Sequence, residues 1–557
     1  MIADKSKTPH LGCFGVALLG LALSAFAQHG NHTAAPAAKQ KPVVLQTGLG
    51  RIQHLIQTTS PVAHQFFNQG LMLIYGFNHD EAIRSFEKAA SLDPAAAMPH
   101  WGIALALGPN INLDVDPKKE KAAFDAVQKA VRLSAKSPEN EKAYIAALAK
   151  RYSDDPKADL KELARDYADA MRELSQMYPD DMDAATLFAE SLMDLNPWKL
   201  WTKDGKPAEG TEEIVATLER VMRRDPDHIG ANHYYIHAVE ASKRPERALP
   251  AADRLGKLAP NAGHLTHMPG HIYLQLGDYE KTAVSNEAAA RADRQFIAAS
   301  GATGIYPLMY YTHNLHFIAV ARAAQGRYLD AKRAAVLMRE NVQPAVKEMP
   351  MIEPYTLIDW LVMLQFHKWD EFLTQVKPAD EKSQRYLVWQ YGQALALAGR
   401  GKAAEAEEHR NIYAKIVSEI PADTPYGTTN TAREAMTVGI HVADASIAES
   451  RSDLDTAIAH WRKAVEAEDA LNYDEPPAWY YPVRQSLGGA LLKAKKYAEA
   501  EVVFREALDA HPRDGRLLFG LLEALNGQNK KTAAAQVKVQ FDEAWKSADT
   551  KLKIGDL

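Results

Sequence analysis

The chain has 557 residues, of which 46% are hydrophobic and 24% charged, and its net charge is −6. That length suits several domains or one long array. The acidic balance argues against a nucleic-acid partner, which calls for a basic face.

At the N-terminus, Lys5 and Lys7 precede the apolar run LGCFGVALLGLALSAFA, which ends in Ala25-Phe26-Ala27. A basic start, an apolar stretch and small residues at −3 and −1 are the marks of a cleaved export signal, here residues 1–27. A membrane anchor is the alternative, but the run is short for a span. Cleavage also removes Cys13, the only cysteine. The mature chain then has no disulfide, thiolate ligand or cysteine nucleophile, and no membrane span. The expected compartment is periplasmic or secreted. Residues 28–58 begin QHGNHTAAPAAKQKPVVL and are expected to form a flexible leader.

From residue 59 to 545, alanine and leucine recur at helical spacing. The segments AIRSFEKAASLDP (82–94) and AEVVFREALDAHP (500–512) share an internal pattern. Ala82, Phe86, Ala89 and Pro94 match Ala500, Phe504, Ala507 and Pro512, and Ala248, Ala252, Leu255 and Pro260 repeat the spacing. LGDYEKTA, QGRYLDAK and KAKKYAEAE supply turns between helices. The pattern resembles the tetratricopeptide repeat, a helix-turn-helix unit of about 34 residues. It implies an all-α, TPR-like α-solenoid of antiparallel helix pairs with a concave groove. About eight or nine units are recognisable. Residues 108–118 and 196–211 are Gly/Pro-rich insertions, and 546–557 reads as a C-terminal tail. The stretches NHYYIHAVEAS, LAPNAGHLTHMPGHIY, NPWKLWTKDGKPAEGTEEIVATLERV and HWGIALALGPNIN also resemble a group of secreted bacterial repeat proteins. That likeness implies fold and compartment and no reaction.

Eight of the 20 histidines fall between His228 and His316. In tetratricopeptide repeats, positions 2, 5, 9 and 12 of the first helix line the groove, an assignment that comes with the resemblance. With Lys243, Gly277 and Gly326 taken as the turn residues, seven histidines of three consecutive units fall on those positions: His233, His237, His264, His267, His271, His313 and His316. Spacings of three and four put side chains on one helix face. First helices of neighbouring units lie roughly 8–10 Å apart. Neutral imidazole is the commonest metal ligand. The set therefore predicts one or two zinc or copper ions, with iron less specific. Solvated histidines, a histidine-lined peptide groove, stacking and pH sensing are the alternatives.

Pro269 interrupts the second of these helices. The regular helix is expected to start near Met268 or Pro269, with His264 and His267 on a preceding turn. Glu240 follows His237 by one turn and is a candidate ligand, an orienting partner of an imidazole, a general base for metal-bound water, or a plain surface ion pair. Tyr234, Tyr310 and Tyr311 flank the predicted groove. EPPAWYYPVR (475–484) is the next candidate, with Trp479, Tyr480 and Arg484 as substrate or partner contacts and Glu475 as a further polar group. Its bland reading is a repeat junction. The sequence thus predicts metal-dependent binding or a metal-assisted reaction, a hydrolysis or an oxidation. The competing prediction is a metal-free scaffold for a peptide or protein partner.

Overall fold

A computed structural model describes residues 41–113 and 117–557. The expected signal segment, the start of the leader, and Asp114 and Asp116 of the first insertion lie outside these residues.

The described residues are all-α apart from one two-residue strand pair, Pro425–Tyr426 with Asn430–Thr431. They form twelve helix pairs, more than the eight or nine legible by pattern. The first six are α1 (Pro61–Tyr75) with α2 (His79–Leu92), α3 (Met98–Leu107) with α4 (Pro117–Leu133), α5 (Glu139–Ala149) with α6 (Leu160–Met177), α7 (Met182–Met193) with α8 (Thr211–Arg224), α9 (Ile229–Glu240) with α10 (Leu249–Leu258), and the broken helix α11 (Gly263–His267) and α12 (Pro269–Gln275) with α13 (Tyr279–Ser300). The second six are α14 (Tyr311–Ala324) with α15 (Tyr328–Val342), α16 (Ile358–Gln365) with α17 (Trp369–Leu373), α18 (Gln384–Gly399) with α19 (Ala403–Glu419), α20 (Ala432–Ser450) with α21 (Leu454–Ala470), α22 (Arg484–Lys493) with α23 (Tyr497–Ala510), and α24 (Gly515–Gly527) with α25 (Lys531–Ala544).

The turns inside the pairs vary in composition. Eight of the pairs turn on one left-handed residue, a conformation glycine adopts without strain. Gly277, Gly326 and Gly401 supply it, but Phe77, His367, Ser452, Lys495 and Asn529 hold positive φ at the same place. Lys243 does not: its turn is replaced by the short helix Pro245–Ala248.

Packing between pairs follows the alanine–phenylalanine pattern. The Phe86 ring fills the space beside Gly70 of α1 and Gly102 of α3, where a Cβ would come within 2.5 Å of it. Phe504 does the same between Gly488 of α22 and Gly520 of α24. Both rings are fully buried, each worth roughly 2–3 kcal/mol of transfer free energy.

The array turns back on itself. The Tyr75 ring of the first pair lies against Gly230 of the fifth, and α24's approach brings the Pro512 carbonyl against Gly277. Arg513 donates to the Leu276 carbonyl. The described part of the expected flexible leader and the C-terminal tail are both held against the array. Residues 41–58 run as an extended strap: Lys41 N–H donates to Ser300, Asn261 clamps Thr47 and Gly48 by their carbonyls, and His54 reaches Asp183. The segment 546–557 is also docked, with Asp549 accepting from the backbone N–H groups of Tyr328 and Leu329, and Leu557 buried. In both segments side chains satisfy the backbone, which composition alone does not reveal.

Candidate metal centre

Helix α9 is buried on every side, a consequence of the closed array, so His233 and His237 lie in the interior rather than in an open groove. Pro269 is the first residue of α12, where its missing N–H costs nothing, and His264 and His267 lie on the preceding short helix as expected. A π-turn at Tyr306–Tyr310 leads into α14 and its His313.

Six imidazoles converge from α9, α11, α12 and α14. The ligand atoms of His233, His237 and His264 lie within 4.8 Å of one another, and so do those of His267, His271 and His313. Nε2 of His264 is 3.1 Å from Nε2 of His233, and Nε2 of His267 is 2.7 Å from Nε2 of His271. Two nitrogens on one tetrahedral zinc lie roughly 3.3 Å apart, given bonds of about 2.0–2.1 Å.

The surrounding bonds decide which nitrogen points inward. His233 Nδ1 donates to the Tyr75 carbonyl at 2.6 Å. His237 Nδ1 donates to Glu240 Oε1 at 2.8 Å. His267 Nδ1 donates to Asn286 Oδ1 at 2.6 Å, and the Asn286 amide is fixed by its own donation to Thr282. Each bond leaves an Nε2 lone pair facing the other rings, which is how metal-binding histidines are oriented. Nε2 of His237 is buried without a partner.

Burial, and then the charge of neighbouring rings, hold His233, His237, His264, His267 and His313 well below the ordinary imidazole range, so they are neutral and ready to ligate. His271 differs. Burial works to lower it, but the carboxylates of Glu475 and Glu240 overcome that and push it up to about 10. Burial and the neighbouring Glu240 raise Glu475 to about 7, against the pull of His271.

His316 lies outside both sets. Its ring faces Tyr355 at 6.2 Å, and burial lowers it to about 4. His313 and His316 are three apart on α14, about 60° around the helix, and only the first faces α12. Glu240 sits on two imidazoles, Nδ1 of His237 and Nδ1 of His271, 2.5 Å away. This geometry gives it an orienting place rather than a free carboxylate beside the rings.

The tyrosines divide. The Tyr310 ring stands edge-on to His264 at 4.9 Å, with its hydroxyl unpartnered. The Tyr234 ring touches His233 at 5.2 Å, while Tyr311 packs in a separate core with Ala290 and Leu315. Of the 475–484 segment, Glu475 alone reaches the centre. Trp479 and Tyr480 pack against Tyr391, and Arg484 pairs with Asp469, so those three form a repeat junction.

Residues without a sequence signal complete the site. Phe77 lies within 4.6–5.9 Å of His233, His237 and His264, and Trp198 stands edge-on to His237 at 5.9 Å. Both hold left-handed backbone, at φ 53° and 61°; for Phe77 this is the turn residue of its helix pair. Met193, Trp198, His237 and Glu240 line a cavity of about 20 Å³, room for one water.

Two other clusters have ligand-like composition. Asp183 receives His54, His228 and Tyr75, so its oxygens already accept three donors. Asp444, between His441 and His460, is held by Arg410, whose positive charge opposes a cation there.

A tetratricopeptide-repeat family model matches residues 66–95. That segment comprises most of α1 and all of α2. No curated protein matches by sequence. Among solved structures, yeast Tom70 is similar at 11% identity, covering 86% of this chain and 90% of that one, with a TM-score of 0.28. The human IFIT1 dimer with PPP-AAAA is similar at 14% identity, covering 89% and 92%, with a TM-score of 0.29. No helix among the described residues is long and apolar enough to cross a membrane.

Proposed function

We propose that this repeat scaffold holds two transition-metal ions, zinc or copper, one on His233, His237 and His264 and one on His267, His271 and His313. The reading is carried by the three fixed Nδ1–H bonds of His233, His237 and His267, which turn neutral lone pairs toward the other rings. Three protein ligands leave a fourth position on a tetrahedral ion, as catalytic zinc sites do. A cavity with room for one water lies beside His237 and Glu240. Bound zinc would bring such a water to an ionisation near neutrality and serve a hydrolysis, whereas copper would serve an oxidation. The residues' own tasks are clear: Glu240 orients His237, Asn286 orients His267, and Phe77 and Trp198 exclude bulk solvent. The closed interior favours a small substrate. Export of the protein by residues 1–27 belongs to the same proposal.

The competing scaffold reading meets an obstacle in the N-terminal half. There the chain's own residues 41–58 already occupy the side chains of Gln69, Asp93 and Asn261.

Elemental analysis of metal-replete protein tests the proposal. The expected result is at least about two ions per chain, with the content falling by about one when either His233 or His267 becomes Ala. Metal-free wild-type protein, or content unmoved by both substitutions, overturns it.

A further inference from the structure

His271 faces different partners with its two ring nitrogens. Its Nε2 points to His267, within the all-nitrogen set. Its Nδ1 meets carboxylates from two distant parts of the chain: Glu240 at the end of α9, 2.5 Å away, and Glu475 from the loop between α21 and α22.

Hydrogen bonding does not account for this arrangement. One Nδ1 carries at most one proton and cannot satisfy two carboxylates. Nδ1 of His271, Oε2 of Glu240 and Oε2 of Glu475 are all buried, and none makes an aligned hydrogen bond. The three atoms lie within 4.8 Å of one another. No lysine or arginine is paired with either carboxylate: Glu240 contacts His237 and His271, and Glu475 contacts His271, Gln275 and Tyr473. Two buried carboxylates carry two negative charges, of which a protonated His271 offsets only one.

The loop is built to hold Glu475 there. Gln275 Nε2 donates to Glu475 Oε1 at 3.0 Å, and the Tyr473 hydroxyl donates to the same oxygen. Those bonds leave Oε2 for the space in front of His271. Asp474 and the Tyr473 carbonyl are tied to Thr428 and Thr429.

We propose that Glu240, Glu475 and Nδ1 of His271 form a further divalent-cation site, and that His271 bridges it, as an imidazolate, to the ion of the His267–His271–His313 set. The mixed nitrogen and oxygen donors suit a borderline cation, zinc in the first instance. This site rests on the two-set reading above and adds an ion to it. It also gives the loop a task, which is to seal the centre by ligation.

The test is a zinc titration of metal-free, full-length protein against a chromophoric competitor, wild type beside Glu475→Gln. The expected stoichiometry is about three zinc ions for wild type and about two for the variant. Equal stoichiometry of about two in both overturns the carboxylate site while leaving the two histidine sets standing. No zinc bound by wild type overturns both readings. A second measurement needs no variant. Copper(II)-saturated wild type should give an electron paramagnetic resonance spin count below its copper content, because an imidazolate couples the two spins. A full spin count at saturation overturns the bridge.

Discussion

Nδ1 of His233 donates to the carbonyl oxygen of Tyr75 across 158 positions of sequence. The bond joins the first helix pair to the fifth, so whatever binds Nε2 of His233 also holds the superhelical turn closed. Metal binding is therefore expected to stabilise the fold. At a free metal concentration about a thousand times Kd, linkage gives about 4 kcal/mol. Calorimetry with and without metal should show a rise in Tm for wild type, and a smaller one for His233→Ala.

Asn286 should matter to the metal without touching it. Its carbonyl fixes the tautomer of His267, and its amide is spent on Thr282. Replacing it with Leu frees the ring to turn. Removal of such an orienting partner typically weakens metal affinity by about 10–100-fold. Competition with a chelator measures this, and Asn286→Asp, which keeps an acceptor, should restore most of the loss.

The strap has a pH window. Burial works to lower His54, but the Asp183 carboxylate overcomes that and raises it above its ordinary 6.5. Its contribution is whole below 6.5 and lost as pH rises through the raised value. Burial works to raise Asp183, but hydrogen bonds from His228 and His54 depress it well below its ordinary 3.8. Its contribution is whole above 3.8 and lost as pH falls through the depressed value. Hydrogen-exchange protection of residues 41–58, taken relative to the intrinsic exchange rate at each pH, should accordingly be greatest between these ordinary values and smaller on either side. Asp183→Ala, which strands buried donors, should cost about 3 kcal/mol and speed exchange throughout.

The glycines facing Phe504 offer a test of the packing. A Cβ on Gly520 would come within 2.1 Å of the ring. Gly520→Ala should destabilise the C-terminal pairs by about 1–3 kcal/mol, as overpacking does. Denaturant unfolding measures the loss, and Phe504→Leu in the same chain should recover part of it.

Much of the fold could be read from periodicity. The alanine and phenylalanine spacing placed the helix pairs around Phe86 and Phe504, and Pro269 marked a helix start. The turn at His367 left no such mark, because a left-handed residue other than glycine leaves no compositional trace. The histidine register was legible for α9, α11 and α12, since residues three and four apart share a face. It overreached at His316, which turns toward Tyr355. Closure of the array was not legible. Glu475 lies 204 positions from His271, and no local pattern brings the two together. Nor does sequence show that residues 41–58 and 546–557 are held by side-chain bonds to distant backbone.

Anomalous scattering from crystals of the full chain, collected across the zinc and copper edges, is the most direct test of the central claim. The account predicts separate peaks within bonding distance of Nε2 of His233 and Nε2 of His267, at one or both edges. Rings in the arrangement described here, with no anomalous peak between them after metal-replete purification, would contradict it.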